Sequence, residues 1–101
     1  MTGKYILTPE GEVRAASLME WAAWFETGDR CIANTKLGDA TISTVFLGLD
    51  HRFGESGPPV LWETMIFGGS LDGEQDRYTS LAAARKGHEQ MVERVKTEGS
   101  A

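Results

Sequence analysis

Two apolar segments with strand-like alternation constrain the fold of this 101-residue chain more than any other feature. Residues 40–47 place Ile42, Thr44 and Phe46 on one face, because successive side chains of a β-strand point to opposite sides. Residues 60–67 are largely apolar on both faces, which favours a strand at the centre of a sheet. The chain is therefore expected to build its core on a β-sheet that contains these two strands.

A hairpin is predicted immediately before the first of these strands. Residues 31–37 form another β-prone run, and only Gly38 and Asp39 separate it from the strand that follows. Two-residue hairpin turns need a positive φ angle, which glycine adopts without strain. This spacing predicts that the two strands are antiparallel neighbours.

Two helices are predicted, one on each side of this β-rich region. The first begins at Ser17, where Glu20 completes a capping box, and it ends near Gly28. The second begins at Ser80, and its apolar stripe at helical spacing includes His88. A histidine on such a stripe is typical of a core residue whose ring nitrogens are hydrogen-bonded.

The order of the elements predicts the fold class. A strand at residues 4–7 precedes the first helix, and a brief edge strand at Arg77 and Tyr78 precedes the second. This order indicates one α+β domain over residues 1–101, with an antiparallel sheet of three to five strands and two helices packed on one face. The tail, residues 97–101, is expected to be frayed.

Size and charge argue against several classes of function. The formal net charge of −5 disfavours binding to duplex nucleic acid, which needs lysines and arginines to neutralise phosphates. No segment approaches the ~20 apolar residues that span a bilayer, and the N-terminus lacks the apolar centre of a signal peptide. One cysteine, Cys31, excludes an internal disulfide and fits a reducing compartment. A protein of the cytoplasm, without membrane contact, is expected.

The loop between the two apolar strands is the leading candidate for a binding site. Asp50, His51 and Arg52 lie between Gly48 and Gly54, at the end of a predicted strand. Loops held by a rigid sheet often carry binding residues. The alternative is structural: Asp50 would make a local turn hydrogen bond and Arg52 would be solvated.

Glu63 is unusual because it occupies the middle of an apolar strand. A buried carboxylate is costly unless it is paired or hydrogen-bonded. Its partner is expected to be Arg52, Arg77 or His88, or a donor group of a ligand. The alternatives are a structural ion pair and simple exposure on an uncovered face of the sheet.

Residues 41–69 contain the series STVFLGLDH, FG, GPP and ETMIFGG. This series resembles that of a family of small uncharacterised proteins encoded by tailed phages and bacterial prophages. The resemblance runs from the tryptophan-containing helix to Tyr78 and the pair Gly87-His88, and it brings no biochemical activity with it. Thr44 matches the family pattern, whereas Arg52 stands where a small polar residue is expected.

The first functional hypothesis is a phage or prophage accessory protein that binds without catalysis. It would sequester a small host molecule, such as a nucleotide-derived immune signal, in a pocket beside the loop at residues 48–59. No cofactor, metal or catalytic residue is assigned. A homo-oligomer is expected, because small domains often complete such pockets across a symmetric interface. The predicted ligand-binding residues are Thr44, Asp50, His51, Arg52, Glu63, Arg77 and Tyr78.

Two other functions stay open at this point. A protein-interaction or virion-assembly factor would bind a host or phage protein through a sheet edge or Trp24, using an exposed apolar patch. A metal-dependent hydrolase would use Asp50, His51 and Glu63 around an ion that activates water, and His88 would complete a two-histidine carboxylate set.

Overall fold

The computed structural model describes residues 3–28, 30–50 and 57–98. These residues form six strands and two helices in the order β, β, α, β, β, β, β, α. The elements are β1 (Tyr5–Leu7), β2 (Val13–Ala15), α1 (Leu18–Thr27), β3 (Cys31–Leu37), β4 (Ala40–Phe46), β5 (Trp62–Phe67), β6 (Gln75–Tyr78) and α2 (Leu81–Glu98).

The main sheet is a four-stranded antiparallel meander in the order β3-β4-β5-β6. The predicted hairpin joins β3 to β4, and its first turn residue, Gly38, has a φ angle of +58°. Strands β4 and β5 are the two central strands, as their apolar sequences predict, and β6 forms the short edge strand expected at Arg77 and Tyr78.

Both helices lie on one face of the main sheet, here called the helix face. The α2 helix packs against all four strands, and its buried residues include His88. The α1 helix reaches the same face through Trp24, whose ring stands edge-on to Phe46 at a centroid distance of 5.5 Å. The predicted α+β class, with two helices on one face of an antiparallel sheet, is therefore confirmed.

The core forms between α2 and alternate residues of the central strands. Because side chains alternate along a strand, each central strand buries every second residue against the helices. The apolar residues buried in this way are Ala40, Ile42, Phe46, Trp62 and Ile66 from the sheet and Ala84, Met91 and Val95 from α2. Thr44 and Thr64 lie on the same face and are fully buried despite their hydroxyls.

The α1 helix begins as predicted but its apolar stripe is only partly packed. Ser17 and Glu20 form the reciprocal capping box, which supplies partners to two backbone N–H groups of the first turn. Trp21 donates its indole N–H to the carbonyl oxygen of Gly48 at 3.0 Å. Leu18, on the same stripe, is 62% exposed, so the stripe continues beyond the part of the helix that the core covers.

A second, two-stranded sheet was not expected from the sequence. Strand β1 pairs with β2 rather than with the main sheet. It is tied to the chain beyond β4, because Tyr5 donates its N–H to Gly48 at 2.8 Å and Gly3 accepts a bond from the N–H of Asp50. This hairpin therefore holds the first residues of the candidate loop in place.

The C-terminal helix extends beyond the point where fraying was expected. Residues 97 and 98 are helical, the Thr97 hydroxyl donates to the carbonyl of Glu93, and Arg94 forms an ion pair with Glu98. The rest of the expected tail, residues 99–101, lies outside the described residues. Neither helix of the described chain has the length and apolarity that crossing a membrane requires.

Candidate functional site

No described element covers the face of the main sheet opposite the helices, here called the open face. Residues in register across the strands form three rows on it. The rows are Cys31, Val45, Glu63 and Arg77; then Asn34, Ser43, Met65 and Gln75; then Lys36, Thr41 and Phe67. The first row lies at the end of the sheet where β4 leads into the candidate loop and β5 returns from it.

Glu63 and Arg77 form an ion pair in this first row. They are direct cross-strand partners, and the Arg77 Nε donates to a carboxylate oxygen of Glu63 at 2.9 Å. The Glu63 side chain is 15% exposed and that of Arg77 is 43% exposed. Of the three side chains proposed as partners for Glu63, Arg77 forms the ion pair, and the pair lies on the open face.

The two ends of the candidate loop are joined by Asp50. Its carboxylate oxygen accepts a hydrogen bond from the backbone N–H of Val60 at 2.9 Å. Asp50 thus makes a structural contact that closes the loop, although this contact spans ten positions and is not the local turn hydrogen bond of the structural alternative. His51 and Arg52, also assigned to the site, lie outside the described residues.

The structure divides the remaining predicted ligand residues between the two faces. Arg77 and Tyr78 are consecutive in β6, so their side chains point to opposite sides of the sheet. Glu63 and Arg77 lie on the open face, whereas Thr44 and Tyr78 lie on the helix face. A single pocket therefore cannot be lined by all four, and the grouping of Tyr78 with Arg77 needs correction for this reason.

A buried polar chain crosses the helix face. The imidazole of His88 is 6% exposed; its Nε2 lies 2.9 Å from the hydroxyl of Thr35 and its Nδ1 lies 2.7 Å from the hydroxyl of Thr44. Thr44 is also hydrogen-bonded to Thr64 at 2.5 Å. The chain links β3, β4 and β5 to α2, and Thr35 and Thr64 are the two members that the sequence analysis did not assign to a site.

Tyr78 continues this polar region without completing it. Its hydroxyl is buried and lacks a hydrogen bond of good geometry. The nearby Thr64 hydroxyl lowers the pKa of the Tyr78 phenol by a smaller amount than burial raises it. Burial is the larger effect and raises the pKa of the Tyr78 phenol, and Asp76 raises it further. The close packing depends on Gly87, because a Cβ at that position would overlap the Tyr78 ring and hydroxyl.

The position of His88 bears on the metal-site hypothesis. Both ring nitrogens of His88 face threonine hydroxyls on the helix face, and Glu63 lies on the open face. These two residues are therefore not ligands of one ion in this arrangement. Among residues 3–28, 30–50 and 57–98, no group of three potential ligands is close enough to hold a metal.

Burial lowers the pKa of His88, and Glu89 on the same helix raises it by a smaller amount. The folded protein therefore holds His88 neutral at pH values where the unfolded chain, with an ordinary pKa of 6.5, binds a proton. The free energy of unfolding is expected to fall as pH drops below 6.5, with a slope of at most about 1.4 kcal/mol per pH unit for one proton. The decline should level off below the folded-state pKa.

Urea titrations at several pH values test this dependence. A His88→Gln variant keeps a side chain that can bond to both threonines but has no titratable group at this position. Between pH 6.5 and the acidic range where carboxyl groups titrate, its free energy of unfolding should therefore change less with pH than that of the wild type. His51→Gln is the matched control, because it removes the other histidine of the chain and should retain the His88 contribution. Equal slopes for wild type and His88→Gln would contradict the assignment.

Comparisons of this chain with protein-family models, curated proteins and solved structures gave no match. The functional interpretation therefore depends on the residues of this chain and on the geometry described above.

Proposed function

We propose that this protein is a non-catalytic binding protein that captures a small polar host molecule at the loop end of the open face. The observation that carries the proposal is the Glu63–Arg77 pair, which lies on the open face beside the ends of the loop at residues 48–59. Asp50 supports this arrangement by joining the two ends of that loop.

The chemistry of this surface favours a ligand with both hydrogen-bonding and flat apolar parts. Glu63 accepts hydrogen bonds, and a guanidinium such as that of Arg77 has more N–H donors than one carboxylate contact uses. Val45 lies beside Glu63 in the same row, Met65 lies in the next row, and both offer an apolar surface to a ring. A nucleotide has both kinds of group.

The cation nearest to a ligand at this end of the open face is Arg77, which is paired with Glu63, whereas Lys36 lies in the third row at the opposite end. One arginine can bind a single anionic group such as a phosphate. The resemblance to phage proteins adds the biological context, in which a nucleotide-derived immune signal of the host is the molecule to sequester.

A second candidate function is recognition of a protein partner through apolar surface. Phe67 on the open face is 51% exposed, and Leu18 and Met19 on α1 are 62% and 81% exposed. Exposed apolar side chains that form a patch are typical of interaction surfaces. This candidate predicts no stabilisation by small molecules.

A thermal-shift screen against cyclic nucleotides, ADP-ribose derivatives and divalent metals tests the first candidate. A ligand at about 100 times its Kd adds about 2.7 kcal/mol of stability, which raises Tm by about 10 °C or more in a domain of this size. Glu63→Gln should weaken binding about tenfold to a hundredfold, because a hydrogen bond to a charged group is lost. Without ligand, the free energy of unfolding of the same variant should lie within about 1 kcal/mol of the wild-type value, since the ion pair is partly exposed.

Glu74→Gln is the matched control for this substitution. It removes one carboxylate of a partly exposed ion pair with Arg94, away from the open face. We expect ligand binding to be unchanged in this variant. If no nucleotide shifts Tm, the protein-partner function is favoured, and a shift with metal alone would instead support the hydrolase. If Glu63→Gln lowers Tm but binds as the wild type does, Glu63 is structural.

A further inference from the structure

The outer edge of β3 is not paired with any strand of the described chain. Backbone groups alternate in direction along a strand, and the two-residue turn makes Leu37 and Ala40 a hydrogen-bonded pair. Two positions earlier, Thr35 bonds inward to β4 in the same way, so the N–H and C=O groups of Asn34 and Lys36 point outward. This edge therefore offers backbone groups to one further strand over a short segment.

A groove of about 430 Å³ lies on the helix-face side of this edge, between β3 and α2. The lining residues are Thr35 from β3 and His88, Glu89, Val92, Glu93 and Lys96 from α2. The volume is within the range of roughly 300–1,000 Å³ that is typical of ligand sites. Because side chains alternate along a strand, a strand added to β3 directs every second side chain over this groove.

The groove presents one carboxylate without an ion-pair partner among the described residues. Glu93 lies 4.0 Å from the ammonium of Lys96, and Arg94 pairs with Glu98 instead. Glu89 forms no such pair within the part of the chain that the structure describes. A cationic side chain that enters the groove therefore finds its partner in Glu89, and the net charge of −5 on the whole chain attracts cations from a distance.

His88 does not neutralise this carboxylate. Its ring nitrogens face the hydroxyls of Thr35 and Thr44, and burial lowers its pKa below the ordinary value of 6.5. The ring is therefore uncharged at pH 7. Thr35 and Val92 give the groove an uncharged surface beside Glu89, and the aliphatic stem of a lysine or arginine can lie along such a surface while its charged end stays in water.

We propose that β3 binds an extended, basic peptide segment of a partner protein as a fifth strand of the main sheet. The outward N–H and C=O groups of Asn34 and Lys36 form the backbone hydrogen bonds. The peptide residue opposite Thr35 directs an arginine or lysine side chain to Glu89. Backbone pairing supplies affinity and the groove supplies specificity, as in other cases of strand addition. This site lies on the helix face and is separate from the ligand site proposed on the open face.

Two features of β3 keep this site short. A β-bulge interrupts the pairing of β3 between Cys31 and Ala33, and the turn at Gly38 ends the strand on the other side. Lys36 also places a charge on the edge, which together with the bulge limits uncontrolled association of edge strands. A peptide of about seven residues, at about 3.3 Å per residue, therefore covers the whole segment.

Fluorescence anisotropy with a labelled heptapeptide, Thr-Val-Thr-Arg-Thr-Val-Thr, tests the site. Its sequence reads the same in both directions, and its arginine and valines lie on one side of the strand. The protein should bind this peptide at least tenfold more tightly than the same peptide with glutamate at the central position. Equal affinity for the two peptides would overturn the proposal, and so would the absence of binding at protein concentrations up to the millimolar range.

Two pairs of variants locate the peptide. Asn34→Pro removes an outward N–H and no bond to β4, as is tolerated on edge strands, and it should abolish binding, whereas Asn34→Ala keeps the N–H and should bind as the wild type does. Glu89→Gln should weaken binding of the arginine peptide about threefold to tenfold, because the ion pair is partly exposed. Glu98→Gln, which removes a carboxylate of the same helix outside the groove, should leave binding unchanged.

Thermal melts show whether each variant folds, and if Asn34→Pro does not, the comparison of Glu89→Gln with Glu98→Gln decides. Binding that is equal in the wild type and in Glu89→Gln would overturn the proposal, because the arginine would then lie elsewhere. Glu63→Gln, on the opposite face, should bind the peptide as the wild type does. Failure of the nucleotide site and failure of the peptide site are therefore distinguishable.

Discussion

Replacing Thr44 with valine is expected to lower the free energy of unfolding by about 2–4 kcal/mol. The substitution keeps the shape of the side chain but deletes a hydroxyl that is bonded to both Thr64 and His88 in a fully buried position. Each buried polar partner left without a hydrogen bond costs about 1–3 kcal/mol. Urea denaturation followed by circular dichroism measures the change.

Thr41→Val is the matched control for this variant. Thr41 lies in the same strand, but on the open face, where its neighbours belong to the uncovered rows. The same chemical change should therefore alter stability by less than about 0.5 kcal/mol, as is usual at surface positions. If both variants have equal stability, the buried chain of hydroxyls and imidazole does not contribute as described.

Gly87→Ala is expected to destabilise the protein by about 1–3 kcal/mol, which is the usual cost of overpacking. Alanine is the better helix former by about 1 kcal/mol, so helix propensity alone predicts the opposite sign. The destabilisation arises because the new Cβ would overlap the ring and hydroxyl of Tyr78, which packs directly on Gly87. Thermal and urea unfolding of the variant measure the net effect.

A double-mutant cycle separates the two contributions. In a Tyr78→Ala background the overlapping ring is absent, so Gly87→Ala should become neutral or stabilising by up to about 1 kcal/mol. Gln90→Ala, at an exposed position of the same helix, should have little effect in either background. Destabilisation by Gly87→Ala that is equal with and without the Tyr78 ring would contradict the packing explanation.

The main sheet was predictable from sequence because its signals are local. The alternation of Ile42, Thr44 and Phe46 follows from the geometry of a single strand, and the turn at Gly38 and Asp39 fixes which strands are neighbours. The capping box at the start of α1 is equally local, since it involves residues three positions apart. Each of these features needs only a few consecutive residues.

The small β1–β2 sheet and the buried polar chain of hydrogen-bonded side chains around His88 lacked such signals. Strand β2 has three residues, all exposed, and is too short for its sequence pattern to indicate a strand. Thr35 and His88 meet across 53 positions of sequence, through the docking of α2 on the sheet. Contacts of that kind depend on tertiary packing, which overrides local preference.

The candidate site could be predicted only in part. Glu63 stood out because it is a carboxylate among apolar residues, yet its partner depended on the register between β5 and β6, which placed Arg77 opposite it. The assignment of Arg77 and Tyr78 to one pocket overlooked their adjacency in a strand, which sends them to opposite faces. Strand periodicity alone could have separated these two residues.

The most direct test of the proposed function is amide chemical-shift mapping of the protein during titration with the nucleotide that gives the largest shift in Tm. We predict that the perturbed amides cluster in the first row of the open face, at Val45, Glu63 and Arg77, and at Asp50 and Val60 where the loop joins the sheet. Perturbations confined to the helix face, around Thr35 and His88, would contradict the proposed site.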